Sequence, residues 1–412
     1  MSSALLIRNR NFRLLFGAGA LTNLGDGFVM LALPWLATLM TDNAALIGAV
    51  AAAGRLPWLL FSVPAGVITD RVDRRKLITR ADLMRAGIAF AIMLLALNPT
   101  AAGGVWMLAA LAFLLGTAEV VRDNAAQTIL PSIVAPQDLE KANGQLWSTE
   151  QLTGQFIGPP LAGVLIAVGI AVPFGLQAAF LVLAAGLIWL ITLPPLVPSQ
   201  TGFWQALVQG VSFMRADRLL LRLAIVLGIA NFIAMGTMTV QVLFAQDVLG
   251  LSSAAYGLVL STAAAGAIAG SLLAPRLIAA LGTQMCLYLS IAGWGVGYAA
   301  VGVTSSGVVM GAALFGVMAA AMLWNVITVS WRQRRIPAAL LGRVNSIYRF
   351  FGWGSMPLGA VAAGSLVTLL QDDMGRAMAI RAPFLLAGIA CGALLIYAIW
   401  RLRLDDSVST LT

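Results

Sequence analysis

Residues 151–214 run for 64 positions without one Asp, Glu, Lys or Arg, and residues 277–331 for another 55. About 20 apolar residues cross the hydrocarbon of a bilayer, so each run must fold back on itself at uncharged turns. Only helices and closed barrels satisfy every backbone polar group in lipid. The apolar character is continuous rather than alternating, so helices are expected. The whole chain is 60% hydrophobic and 10% charged, against about 25% charged in soluble domains. Lipid, not water, accepts that much apolar surface.

Several chemistries are excluded. No Gly-x-x-x-x-Gly-Lys-Ser/Thr phosphate cradle occurs, which argues against nucleotide hydrolysis. There is no His, and Cys286 and Cys391 stand apart in apolar segments. A metal cluster, a Cys/His nucleophile and a disulfide framework are therefore not expected. The reading is of a non-enzyme without cofactor or metal. The net charge of +9 would suggest nucleic acid in a soluble protein. Here the basic residues gather at segment ends, which is a topology signal. Arg8, Arg10 and Arg13 precede the first apolar segment with no small-residue cleavage site near them, unlike a cleaved leader.

Breaks at charge, Pro and Gly clusters give twelve spans, near 12–40, 45–69, 77–97, 104–130, 143–169, 173–195, 219–246, 251–277, 284–303, 307–330, 342–370 and 382–401. With sides assigned by alternation, 22 of the 25 basic residues fall on one face. The exceptions are Arg376 and Arg381, with Arg55 inside a span. The positive-inside rule then puts both termini in the cytoplasm. The connection 196–218 carries an amphipathic pattern from Phe203 to Met214, suited to a membrane surface. It separates a six-helix bundle over 1–195 from a second over 219–412. A shift of 201 residues matches Gly158 to Gly359 and Gly163 to Gly364, and a shift of 198 matches Gly144 to Gly342 and Pro159 to Pro357. Both shifts join the fifth span to the eleventh, as in two parallel repeats.

The turn after the second span reads Gly66-x-x-x-Asp70-Arg71-x-x-Arg74-Arg75, and six of the seven residues 70–76 are charged. This spacing and placement resemble the signature loop of the major facilitator superfamily. Gly158-Pro159-x-x-Ala162-Gly163 on the fifth span is similar to the Gly-Pro motif of that family's exporters, with Ala for one Gly. Asn23-Leu-Gly-Asp26 and Gly342-Arg343-Val-Asn345 resemble the branch of macrolide and enterobactin-type exporters. The resemblance covers the full length. It implies an all-α fold of twelve helices in two pseudo-symmetric bundles, with the first, fourth, seventh and tenth lining a cavity. In relatives the signature loop latches the outward-facing state, with Asp70 as the acid here. A carboxylate near a helix N-terminus is favoured by the dipole. The alternative for the loop is a topogenic positive cluster alone. The second half keeps only Arg276 in the corresponding turn.

An ion inside a span costs a few kcal/mol, so such residues are functional candidates. Asp26, Arg55, Glu119 and Glu150 lie on the first, second, fourth and fifth spans, with Arg122 and Asp123 toward the end of the fourth. At 1.5 Å per residue, Asp26 lies ~21 Å from one face and Arg55 ~14 Å from the other. The two are placed to form a buried pair that stiffens the first helices, or to part so that Asp26 exchanges a proton or meets a cationic substrate. Glu119 and Glu150 come to similar depth, and two carboxylates in a low-dielectric site cannot both ionise cheaply, as a proton carrier requires. The alternative is a local Glu119–Arg122 pair at i,i+3. The second half offers Asn231, Gln241, Trp324 and Asn325, with Arg349. Trp35, Trp58 and Trp324 serve either as anchors at the interface or as stacking walls. Gly154, Gly158, Gly163, Pro159 and Pro160 bend the fifth span and let helices slide.

The resemblance implies a monomeric secondary transporter of the bacterial inner membrane that exports a small hydrophobic or amphipathic compound in exchange for protons. Its partners are that small molecule, protons and membrane lipid, not nucleic acid. Metabolite uptake by proton symport and flipping of lysophospholipid-type molecules are the alternatives. A receptor without transport is more remote.

Overall fold

In a computed structural model the described residues are 3–69, 72–100, 103–135, 138–193, 212–336, 344, 348 and 350–404. Among them there is no strand. After a short helical segment, Ser3–Arg8, the long helices are α1 (Arg10–Met40), α2 (Ala44–Thr69), α3 (Arg74–Ala96) and α4 (Gly104–Ile133). The fifth, α5, is built from Leu139–Thr149, a π-helical stretch Glu150–Ile157, and Gly158–Val168. Then come α6 (Val172–Trp189), α7 (Arg218–Leu243, with a π turn Phe244–Val248), α8 (Ser253–Leu281), α9 (Thr283–Val303), α10 (Gly307–Arg335), α11 (Met356–Met374) and α12 (Arg376–Arg401).

Eleven of these are long and apolar enough to span a membrane. The other, α3, is long enough at 23 residues but carries Arg74, Arg75, Lys76, Arg80, Asp82 and Arg85 in its first half. It packs against α4 and α6 all the same. Side chains dictate where helices start. Asn9 accepts from Phe12 N at 2.9 Å, and its amide donates to Ile133 O at 2.7 Å, tying the start of α1 to the end of α4. Asp73 caps α3 by accepting from Lys76 N, and Asp217 caps α7 through Leu219 N and Leu220 N. Such caps stabilise a helix by about 1 kcal/mol.

The chain divides into two compact units, one of Met1–Gln200 with Leu251–Ser261, the other of Thr201–Gly250 with Thr262–Thr412. In the first, α1 packs on α5 and α6, and α3 on α4 and α6; in the second, α7 packs on α11 and α12, and α9 on α10 and α12. The same neighbour pattern thus occurs twice. Close backbone approach recurs with it: a Cβ on Gly27 would meet Gly154 O at 2.4 Å, and one on Gly359 would meet Phe232 O at 2.1 Å. Small residues permit such approach where no hydrophobic drive exists between helices in lipid. The first unit's core clusters around Phe12, Leu15, Ile78, Ile129 and Ile188. Many large apolar side chains are exposed, Val308 and Trp400 among them, as a lipid-facing surface requires. Both cysteines are buried and free. The amphipathic stretch expected from 203 falls mostly outside the described residues; of its end, 212–216 is helical and Met214 is buried.

Candidate functional site

The charges of the first unit form one cluster, differently wired from the sequence expectation. Asp26 pairs with Arg85 on α3 at 2.5 Å, not with Arg55. Arg85 had been counted with the basic turn because it follows it by only ten residues, yet it sits twelve residues into α3 and its side chain is 1% exposed, whereas that of Asp26 is 36% exposed. Arg55 is exposed and acts on the cluster through its field at Glu119. Behind Arg85 lies Asp82, fully buried, 3.8 Å from the Arg85 guanidinium and 3.6 Å from that of Arg122. Arg122 also pairs with Asp123 at 3.0 Å and reaches the Thr22 hydroxyl at 3.5 Å. Its ion pairs therefore go to Asp82 and Asp123, not to Glu119 three residues before it.

Gln177 of α6, fully buried, donates to the same Asp26 oxygen as Arg85, at 3.3 Å. Glu119 feels the charges of Asp26, Arg85, Asp123 and Arg55, and exposed Glu150 those of Asp123, Arg122 and Asp26. The two glutamates share the cluster through Asp26 and Asp123 rather than facing each other. Asp82, Arg85 and Gln177 escaped the sequence reading. The signal was there: an Asp-x-x-Arg pair at i,i+3, one turn beyond the charged start of a span.

The widening of α5 has a local cause. Pro159 and Pro160 lack an N–H, and a proline ring clashes with the carbonyl four residues back. The helix widens just before them: the N–H of Gly158 bonds to Thr153 O, five residues back. Widened turns of this kind are frequent at functional sites. The first turns of α8 pack on this segment at four-residue intervals. Ser253 donates to Gly163 O and Ser261 to Phe156 O, each at 2.9 Å. Between them a Cβ on Gly257 would meet Pro159 O at 2.6 Å, and one on Gly163 would meet Ser253 O at 2.4 Å.

The second unit holds a cavity of about 510 Å³ that brings together Asn231, Trp324 and Asn325 with residues not foreseen, Trp294, Tyr298, Tyr348 and Trp353. The rings of Trp294 and Trp324 lie 5.4 Å apart. Asn231 donates to Gly352 O at 3.0 Å. Arg332, 8% exposed, also lines the cavity, with its guanidinium 3.7 Å over the Tyr348 ring. Gln241 is buried farther along α7. Trp35 lies instead against Tyr256, with ring centroids 6.2 Å apart, and Trp58 is half-buried on α2.

Of the signature turn, Asp70 and Arg71 lie outside the described residues, as do Gly342, Arg343, Asn345 and Arg349. Gly66 is in the last turns of α2 and Arg74 begins α3. Arg75 donates to Ile191 O at 3.2 Å and stacks 4.9 Å over the Trp189 ring. It fastens the end of α6 to the start of α3.

Comparison with known proteins bears on the family and the fold. The model of the transmembrane secretion effector family matches residues 2–408. The enterobactin exporter EntS of Citrobacter koseri is 28% identical over 387 residues, covering 90% of this chain and 88% of its own length. The multidrug efflux pump Tap of Mycolicibacterium fortuitum is 33% identical over 146 residues, 35% of this chain and 36% of its own. A crystal structure of the nucleoside transporter NupG matches with a TM-score of 0.74 at 14% identity, covering 94% of this chain and 99% of that one, a likeness of fold alone. Twelve long helices among the described residues, with a packing pattern that occurs twice, and a family match along nearly the whole length lead to one assignment: the chain belongs to the transmembrane secretion effector family and is a multi-pass transporter of the major facilitator superfamily, not an enzyme.

Proposed function

We propose that this transporter exports a small hydrophobic or amphipathic organic compound in exchange for protons. The observation that carries the reading is the Asp26–Arg85 pair: a carboxylate 36% exposed held by a guanidinium 1% exposed. The acid is the open member of the pair and its partner the enclosed one. Protonation of Asp26 removes one side of the pair, and Arg85 then turns to Asp82, already 3.8 Å away. The local charge balance supports the same reading. Asp26, Asp82, Glu119, Asp123 and Glu150 share the field of two buried arginines, with Arg55 at a distance. With more acids than bases in the cluster, one acid can lose its charge while the arginines keep a partner. The names of EntS and Tap, an exporter and an efflux pump, support outward transport.

In this reading the transporter alternates between two states, with α5 at Gly158, Pro159 and Gly163 and the turn at Gly66, Asp70, Arg71, Arg74 and Arg75 governing the change. The protein works as a monomer in the bacterial inner membrane with both ends in the cytoplasm, in keeping with the one-sided basic residues. The test is a proteoliposome screen of amphipathic compounds under an imposed pH gradient. Export by exchange requires protons to move opposite to the compound. Co-directional movement would convert the reading to symport, and transport indifferent to the gradient would end it.

A further inference from the structure

We propose that the cavity of the second unit receives a planar aromatic compound bearing a negative charge or a strong hydrogen-bond acceptor, and disfavours aromatic cations. This deepens the export reading by naming the chemistry of its cargo. At about 510 Å³, the cavity is in the range that holds an organic ligand. Its walls present Trp294, Tyr298, Trp324, Tyr348 and Trp353, flat surfaces suited to offset stacking. Met318, Met322 and Met356 complete the lining, and thioethers adapt to aromatic guests.

Charge decides between guests. Aromatic walls alone attract cations through their ring faces. Here one face is already taken, because the Arg332 guanidinium stands over Tyr348 at 3.7 Å. Arg332 is the charged residue of the described lining, and no carboxylate is among it. A cationic guest would meet like charge in poorly solvated surroundings, whereas an anion would gain a charge-assisted contact. A second observation points the same way. The indole nitrogen of Trp324, a residue 3% exposed in the cavity wall, has no hydrogen-bond partner among the described residues. Indole can only donate, and buried donors are nearly always satisfied. The guest that completes it carries an acceptor. Asn231 and Asn325 add polar groups along the same wall.

The experiment is equilibrium dialysis of three ring-matched probes, naphthalene carboxylate, naphthol and naphthylmethylammonium, against the full chain in phosphatidylcholine nanodiscs, with empty nanodiscs subtracted. The carboxylate is expected to bind about tenfold more tightly than the ammonium, the size of one charge-assisted contact. Arg332→Gln should bring that ratio near one while naphthol still binds, which also reports that the cavity persists. If Arg332→Gln loses naphthol as well, Arg332→Lys decides, because it must keep the carboxylate preference. Trp324→Phe keeps the ring and removes the donor, so it should weaken naphthol and carboxylate alike by about threefold or more. Preference for the ammonium, equal binding of all three, an unchanged ratio in Arg332→Gln, or unchanged affinity in Trp324→Phe would overturn the proposal. Dialysis uses no gradient, so a chain that binds with this preference yet moves no protons refutes proton-coupled export alone. One that moves protons without this preference refutes the pocket alone.

Discussion

The Ser261 hydroxyl donates at 2.9 Å to the carbonyl of Phe156. In a regular α-helix that oxygen accepts from residue 160, which here is proline and has no N–H. The hydroxyl of one helix thus supplies what the sequence of another removed. Ser261→Ala should weaken the α5–α8 contact by about 0.5–1.5 kcal/mol, the net value of one hydrogen bond. In a Pro160→Ala background, where the helical donor is restored, it should cost little. A double-mutant cycle on unfolding in detergent measures the coupling; equal costs in both backgrounds would show that the hydroxyl does not stand in for the missing donor.

Arg85 and Arg55 are both arginines inside predicted spans, with opposite fates. Arg85 is enclosed by Asp26 and Asp82, whereas Arg55 is exposed. Removing one partner of a buried pair leaves an uncompensated charge, at a cost of about 3–5 kcal/mol. Arg85→Gln should therefore lower thermal stability sharply, and Arg55→Gln barely. A larger loss in Arg55→Gln would reverse the assignment.

The helix count and the disturbed turn of α5 before Pro159 were legible in the sequence because each rests on a local rule: span length with the charge bias of turns, and proline without its donor. The wiring of the charges was not. Depth counting placed Asp26 opposite Arg55, but depth says nothing about which face of a helix a residue occupies. Arg85 and Arg332 were both read as topogenic because they stand close to basic turns. One is instead the ion-pair partner of Asp26, and the other lines an aromatic cavity. Nor does a linear pattern bring Trp294 beside Trp324, thirty residues apart on two helices.

Gly27 and Gly186 both interrupt apolar helices, but only the first is crowded. A Cβ on Gly27 would stand 2.4 Å from Gly154 O and 2.9 Å from Gly158 Cα, while one on Gly186 meets nothing within 4 Å. Gly27→Ala must push α1 from α5 and should cost about 1–3 kcal/mol, as overpacking does. Gly186→Ala should be neutral or stabilising by up to about 1 kcal/mol, since alanine loses less entropy in a helix. Thermal unfolding of the two variants side by side tests the contact.

If the turn after α2 governs the change of state, its acid acts on rates and not on binding. Asp70→Asn should slow turnover in proteoliposomes and leave substrate affinity nearly unchanged. Unaltered turnover would reduce the turn to a topological signal.

Asp26 and Asp82 share Arg85 but differ in exposure. The side chain of Asp26 is 36% exposed and that of Asp82 is fully buried, near Arg85 and Arg122 together. A group that exchanges protons each cycle must reach water; one that only offsets buried cations need not. Asp26→Asn should keep the fold, because Asp82 remains beside Arg85, and should leave any residual transport insensitive to the pH gradient. Asp82→Asn removes the buried carboxylate that Arg85 and Arg122 share and leaves each only its partly exposed partner, Asp26 or Asp123, so it should destabilise the protein more than Asp26→Asn does. Whatever transport survives should still follow the gradient. Measured together, unfolding and gradient-driven flux separate the roles. If Asp82→Asn lost the gradient dependence and Asp26→Asn kept it, the proton would travel by the inner acid and the exposed one would be the structural partner.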